Sequence, residues 1–176
     1  PAGDDALVVS PEAATLTGAG FSLRGEAFET VTAQATAGGS DTANLYDSVG
    51  DDAFVCRPTA ATISGPGYSV TAQGFDFVKA YSTAGGADTA DIYDTAGNDS
   101  LIATPTYAKL TGEGYYAMAT GFRYARAHST GGADVAVMND SAGNDIFIAG
   151  PTFAKLYGDN FYNIANRFRY VNAYGK

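Results

Sequence analysis

The chain has 176 residues, 45% of them hydrophobic, with 22 Gly, no Trp, one Cys, one His and a formal net charge of −9 at a pI of about 4.3. That balance speaks against a nucleic-acid partner, since 10 Lys and Arg are outnumbered by 19 Asp and Glu and form no basic patch. A single Cys excludes an internal disulfide, and no apolar run approaches the ~18 residues of a membrane-spanning helix.

In chain order, the first segment is "GDDALVVSPEAATLTGAGFSLRGEAFETVTA" from Gly3, followed by the shorter unit "GGSDTANLYDSV". The same pair recurs from Gly50 and again from Gly97, and the long segment returns a fourth time from Gly143. The steps are 47, 47 and 46 residues, so residues 1–176 read as a single array with copies at 3–49, 50–96, 97–142 and 143–176. Within each copy, short runs of Val, Ile, Phe, Tyr and Thr between Gly and Asp clusters read as strands. Glycine at this density breaks any helix, so the expected fold class is all-β.

Equivalent positions form columns. Leu7, Phe54, Leu101 and Phe147 make one; Leu16, Ile63, Leu110 and Leu156 a second; Leu45, Ile92 and Met138 a third; Phe28, Phe75, Phe122 and Phe168 a fourth. Period-two spacing points each set to one side, where stacked copies would bury it. Gly18, Gly65, Gly112 and Gly158 are expected at corners that need a tight or left-handed turn.

A propeller blade of ~40 to 50 residues competes with a solenoid. Ring closure would leave one blade short of its "DTAxLYD" strand, and Asn-Gly hairpin turns are scarce. The 47-residue unit also splits into two similar halves. The expectation is therefore a β-helix, a parallel β-solenoid with about two coils per 47-residue repeat, right-handed by the crossover rule and on the order of 35 Å long. Abrupt ends without caps, initiator Met or signal peptide fit a piece of a longer array and predict self-association through uncapped ends.

The turns "TAGNDSLIA", "SAGNDIFIA" and "GGADTADIY" resemble the Gly- and Asp-rich nonapeptide of hemolysin-type (RTX-like) repeats, and the whole unit resembles repeats of very large bacterial surface proteins. The resemblance implies a solenoid that is secreted or on the cell surface, with calcium as the ion of its turns. Here the Gly-Gly and Gly-Asn-Asp turns occur once each per unit instead of in tandem.

Of the 19 acidic residues 15 are Asp, in columns such as Asp41/Asp88/Asp134, Asp47/Asp94/Asp140 and Asp52/Asp99/Asp145. Asp88, Asp94, Asp99, Asp134, Asp140 and Asp145 are the candidate calcium ligands. The preferred reading makes them turn-formers and no cofactor a requirement: Gly97 would take a positive φ while Asn98, Asp99 and Asp94 satisfy the local amides. Outward aromatics Phe77, Tyr124, Tyr170, Tyr46 and Tyr93 are the candidate glycan-binding residues. Arg123, Arg126, Arg167 and Arg169 are the best asset of a third reading, a polysaccharide lyase or epimerase on a β-helix. His128 and Cys56 sit in columns shared with Gln34 and Tyr81, and with Val9, Ala103 and Ala149, so neither is expected to be catalytic. The function expected from all this is non-enzymatic: a structural or interaction segment of a large secreted bacterial surface protein.

Overall fold

A computed structural model describes residues 3–176 and contains strands and turns only among them. The first copy supplies β1 (Ala6–Val9), β2 (Ala13–Gly18), β3 (Phe21–Glu26), β4 (Thr30–Gln34) and β5 (Thr42–Tyr46). The second supplies β6 (Ala53–Arg57), β7 (Ala60–Gly65), β8 (Tyr68–Gln73), β9 (Phe77–Tyr81) and β10 (Thr89–Tyr93). The third supplies β11 (Ser100–Ala103), β12 (Tyr107–Gly112), β13 (Tyr115–Thr120), β14 (Tyr124–His128) and β15 (Val135–Asn139). The last supplies β16 (Ile146–Gly150), β17 (Phe153–Gly158), β18 (Phe161–Asn166) and β19 (Tyr170–Tyr174).

Two sheets face each other. The first runs β19-β15-β11-β12-β13-β9-β5-β1-β2-β3 and the second β16-β17-β18-β14-β10-β6-β7-β8-β4. The chain passes from one sheet to the other ten times, which is five turns of a β-solenoid with parallel coils, as the repeat predicts. One feature was not foreseen. The first three strands of each copy form an antiparallel meander inside one sheet, as β11, β12 and β13 do. Each copy therefore makes three crossings, one and a half coils, and its meander lies in the sheet opposite to that of the copy before. Because meanders add strands without adding turns, nine spacings of about 4.8 Å give a rod about 43 Å long, longer than coil counting suggests.

Alternation along each strand explains the core. In β10, Ala90 and Ile92 point inward with no exposure while Thr89, Asp91 and Tyr93 line the outside. Each linker strand sets a small inward Ala (Ala43, Ala90 and Ala136) two residues before a large inward residue (Leu45, Ile92 and Met138), all without exposure in a dry layer between the sheets. Phe54 packs against Phe122 from the next copy, ring centroids 5.9 Å apart. The expected burial of whole columns holds for Ile63, Leu110 and Leu156 and for Phe75, Phe122 and Phe168. It fails at both ends: Leu16 is only half-buried and Phe28 is 61% exposed in the first copy, and Phe147 is 44% exposed in the last, because among the described residues no further coil lies over them.

Candidate functional site: buried carboxylate triads

The expected local role of the aspartates holds in part: Asp52 and Asp145 accept the Ser48 and Ser141 amides of their own turns, while Asp47, Asp88, Asp94 and Asp134 also accept amides from a neighbouring coil. The Asp99 amide donates to Asp134 Oδ1 at 2.8 Å, and the Ser129 hydroxyl donates to Asp134 Oδ2 at 2.6 Å. Thr130 gives Asp94 both its amide, at 2.8 Å, and its hydroxyl, at 2.6 Å. Thr95 Oγ1 donates to Asp99 Oδ2 at 2.8 Å, a local contact like that of Ser129 with Asp134. The copy before repeats the wiring: the Asp52 amide donates to Asp88 Oδ1, Ser82 to Asp88 Oδ2, and the Thr83 and Ala84 amides to Asp47.

Three columns thus converge. Asp94, Asp99 and Asp134 form one buried cluster and Asp47, Asp52 and Asp88 another, each with carboxylate oxygens within 4.8 Å of one another. Asp88 belongs with Asp47 and Asp52, which sequence reading left out of the candidate ligands although it saw their columns. Asp140 and Asp145 border a cavity of about 180 Å³ with Phe147, Leu156 and Tyr174, without a third carboxylate among the described residues.

The glycine expectations change with the wiring. Gly97 has no left-handed backbone; Gly132 of the following linker does (φ 89°), and a β-carbon there would collide with the Gly97 carbonyl oxygen. Asn98 accepts from the Ala133 amide one coil away, so it does not close its own turn. Gly18, Gly65, Gly112 and Gly158 are not left-handed either. Each leaves room for a carboxylate: a β-carbon would strike Oδ1 of Asp5, Asp52, Asp99 and Asp145 respectively.

One donor distinguishes the triads. Tyr68 Oη donates to Asp52 Oδ1 at 2.7 Å. The equivalent Tyr115 turns its hydroxyl to Cys56 Sγ, 3.5 Å away, and the first and last copies have Phe21 and Phe161 at that position. Accordingly Asp5, Asp99 and Asp145 each have a buried Oδ1 without a hydrogen-bond partner. Burial raises the pKa of Asp88 and Asp94 above the usual carboxylate value, and the neighbouring aspartates add to the rise. Three hard oxygen donors at close range, one of them unpartnered at Asp99, suit an oxygen-seeking cation: these clusters could hold a metal.

The aromatic candidates do not form one row. Tyr46 and Phe77 lie on the first sheet and Tyr93 and Tyr124 on the second, while Tyr170 is on β19 at the far edge of the first. Several have a face covered: Tyr46 stacks on Tyr81, Tyr93 is held between His128 and the Arg57 guanidinium, and Tyr124 leans on Tyr162. Arg126 is paired with Asp91 at 2.6 Å, and His128 Nε2 lies 2.9 Å from the same carboxylate. Cys56 is fully buried, and desolvation lifts its thiol pKa to about 11, which leaves it an inert core group.

Fold and site together define a β-solenoid whose coils are laced by buried carboxylates. Compared with family models, curated proteins and solved structures, the chain matches none.

Proposed function

We propose that the chain is a non-enzymatic structural and interaction segment of a large secreted bacterial surface protein. The observation that carries this reading is where the buried polar groups go. Four of the six triad carboxylates, those of Asp47, Asp88, Asp94 and Asp134, accept an amide from the coil 35 to 37 residues away, so the unit is built to propagate along an axis. The resemblance of its turns to hemolysin-type repeats supports secretion. The test is the parent reading frame read outward from both ends, with protease shaving of intact cells. Further copies of the unit in a shaved surface protein are expected; a frame confined to the cytoplasm would overturn the reading.

The same reading takes calcium as the cation of the two complete triads, since ligand sets of carboxylates alone favour hard divalent ions. Asp94, Asp99 and Asp134, and likewise Asp47, Asp52 and Asp88, would hold it. The ion would neutralise charge that burial and crowding make costly. Folding would still proceed without it, because amide and hydroxyl donors already contact every triad member.

Glycan contact is the second reading. It is favoured by an open groove of about 740 Å³ on the outside of the second sheet, where Tyr93, His128, Lys155, Tyr162 and Arg167 come together. Acidic oligosaccharides offered to the protein should shift the NMR signals of these side chains; signals that stay fixed at millimolar sugar would remove the reading.

A further inference from the structure

The two ends of the first sheet are complementary halves of a junction that occurs three times inside the chain. There β4 lies parallel to β8, β9 to β13 and β14 to β18, starting from Thr30 opposite Ser69, Phe77 opposite Tyr116 and Tyr124 opposite Tyr162. By position, β19 is the fourth strand of the first series and β3 the earliest of the second. Each pairs on one side only among the described residues, β19 with β15 and β3 with β2. We propose that β19 of one 176-residue chain pairs in parallel with β3 of a second, so that the solenoid continues from molecule to molecule by the junction that a further unit of a longer frame would make within one chain.

The internal junctions fix the alignment: Tyr170 opposite Ser22, Val171 opposite Leu23, Asn172 opposite Arg24, Ala173 opposite Gly25 and Tyr174 opposite Glu26. The hydrogen bonds follow as well. Ala35, Ser82 and Ser129 donate their amides to the carbonyls of Gln73, Thr120 and Asn166 at 2.8 to 2.9 Å. The equivalent pair is the Gly175 amide and the Glu26 carbonyl of the second copy. Likewise Ser69 and Tyr162 donate to the carbonyls of Glu29 and Arg123, which assigns the Ser22 amide to the Arg169 carbonyl. Those β19 groups are aimed correctly: the Tyr170 amide and Tyr174 carbonyl are used against the preceding coil, so Val171 and Ala173 present theirs at the open edge.

Side chains agree. Leu23 is 61% exposed although its counterparts Val70, Ala117 and Asn163 are buried. Phe54 of the second copy meets Phe122 of the third; by the same step Phe147 would meet Phe28 of the next molecule, and both are exposed, by 44% and 61%. The even number of copies brings the alternating meanders back into phase, so the first sheet of one molecule meets the first sheet of the next. Among the described residues no linker strand fills the second sheet at this junction, between β16 and β4 of the neighbour. The contact is therefore half-paired, and assembly should depend on concentration.

The test is sedimentation velocity across a hundredfold concentration range with two edge variants. Ala173→Pro removes an amide that faces only the open edge of β19, and Leu23→Glu puts a charge on the apolar side of β3. Wild type is expected to form open-ended oligomers beyond dimers. Each variant alone should be monomeric with a wild-type circular dichroism spectrum. Mixed one to one, they should form heterodimers and nothing longer, because only the intact β19 of Leu23→Glu can meet the intact β3 of Ala173→Pro. A wild type that stays monomeric, variants that oligomerise as wild type does, or a mixture without heterodimers would each overturn the proposal.

Discussion

Asp99 lies with its Oδ1 over the α-carbon of Gly112, in the space where any other residue would carry a β-carbon. The same pairing joins Asp52 to Gly65 and Asp145 to Gly158. The glycine column and the aspartate column are thus two halves of one packing contact.

Gly112→Ala should destabilise the chain by about 1–3 kcal/mol through overpacking against that carboxylate. Gly114, left-handed and with open space around its α-carbon, should instead lose stability on substitution by Ala through backbone strain alone. A double-mutant cycle in urea separates the causes. Asp99→Ala should recover much of the Gly112→Ala loss, a coupling of about 0.5–3 kcal/mol, and none of the Gly114→Ala loss.

Phe161 occupies the position from which Tyr68 reaches Asp52 Oδ1, and the Oδ1 of Asp145 has no partner. Phe161→Tyr should supply the absent donor and stabilise the last copy by about 1–2 kcal/mol, since hydrogen bonds to charged groups exceed neutral ones. Phe21→Tyr should do the same for Asp5. The check is the urea midpoint at unchanged m-value.

Core columns were readable from spacing because each large inward residue repeats at the same phase of a strand; Ile63, Leu110, Phe75 and Phe122 needed no coordinates. The meander was signalled too, in another form than the one sought. Pro66-Gly67 and Glu113-Gly114 are two-residue links, with Gly67 and Gly114 left-handed, and each closes a hairpin without an Asn-Gly pair. The triads were half legible. Their three columns could be listed, but which members meet depends on the sheet-to-sheet alternation. Three crossings per copy bring Asp94 and Asp99 against Asp134 from the next linker, and no local pattern records that.

Asp88 and Asp94 have folded pKa values raised above their unfolded ones. Below the unfolded value both states are protonated at these sites; as pH rises through the folded value, the folded state carries a penalty the unfolded chain escapes. In chelator, these two groups therefore make the protein less stable at pH 7.5 than at an acid pH below their folded values. Calcium should reverse the trend, adding ~2.7 kcal/mol at a hundredfold excess over its dissociation constant. Asp88→Asn keeps an acceptor for the Asp52 amide and removes one charge. It should raise the chelator melting temperature at pH 7.5 and shrink the calcium gain. A calcium-independent melting curve at both pH values would refute the occupied triad.

Phe122→Ala should cost about 3–5 kcal/mol, because the ring is buried against Phe54. Phe28→Ala, at the equivalent position in the first copy, should cost under about 1 kcal/mol at concentrations where the protein is monomeric. Guanidinium unfolding monitored by tyrosine fluorescence would measure both.

The half-step between copies makes the rod two-sided. Neighbouring copies are related by a screw operation that swaps front and back, so a side chain that faces one way in one copy faces the opposite way in the next. Tyr93 and Tyr46 show this, since they hold the same place in their units but belong to opposite walls. The true period of the outer surface is two units, and a rigid ligand that reads identical features on one wall must bridge every other copy. Substitutions that arise in odd-numbered copies would decorate one wall and those in even-numbered copies the other. A single array could in this way acquire two independent faces without any change to the core that holds it together.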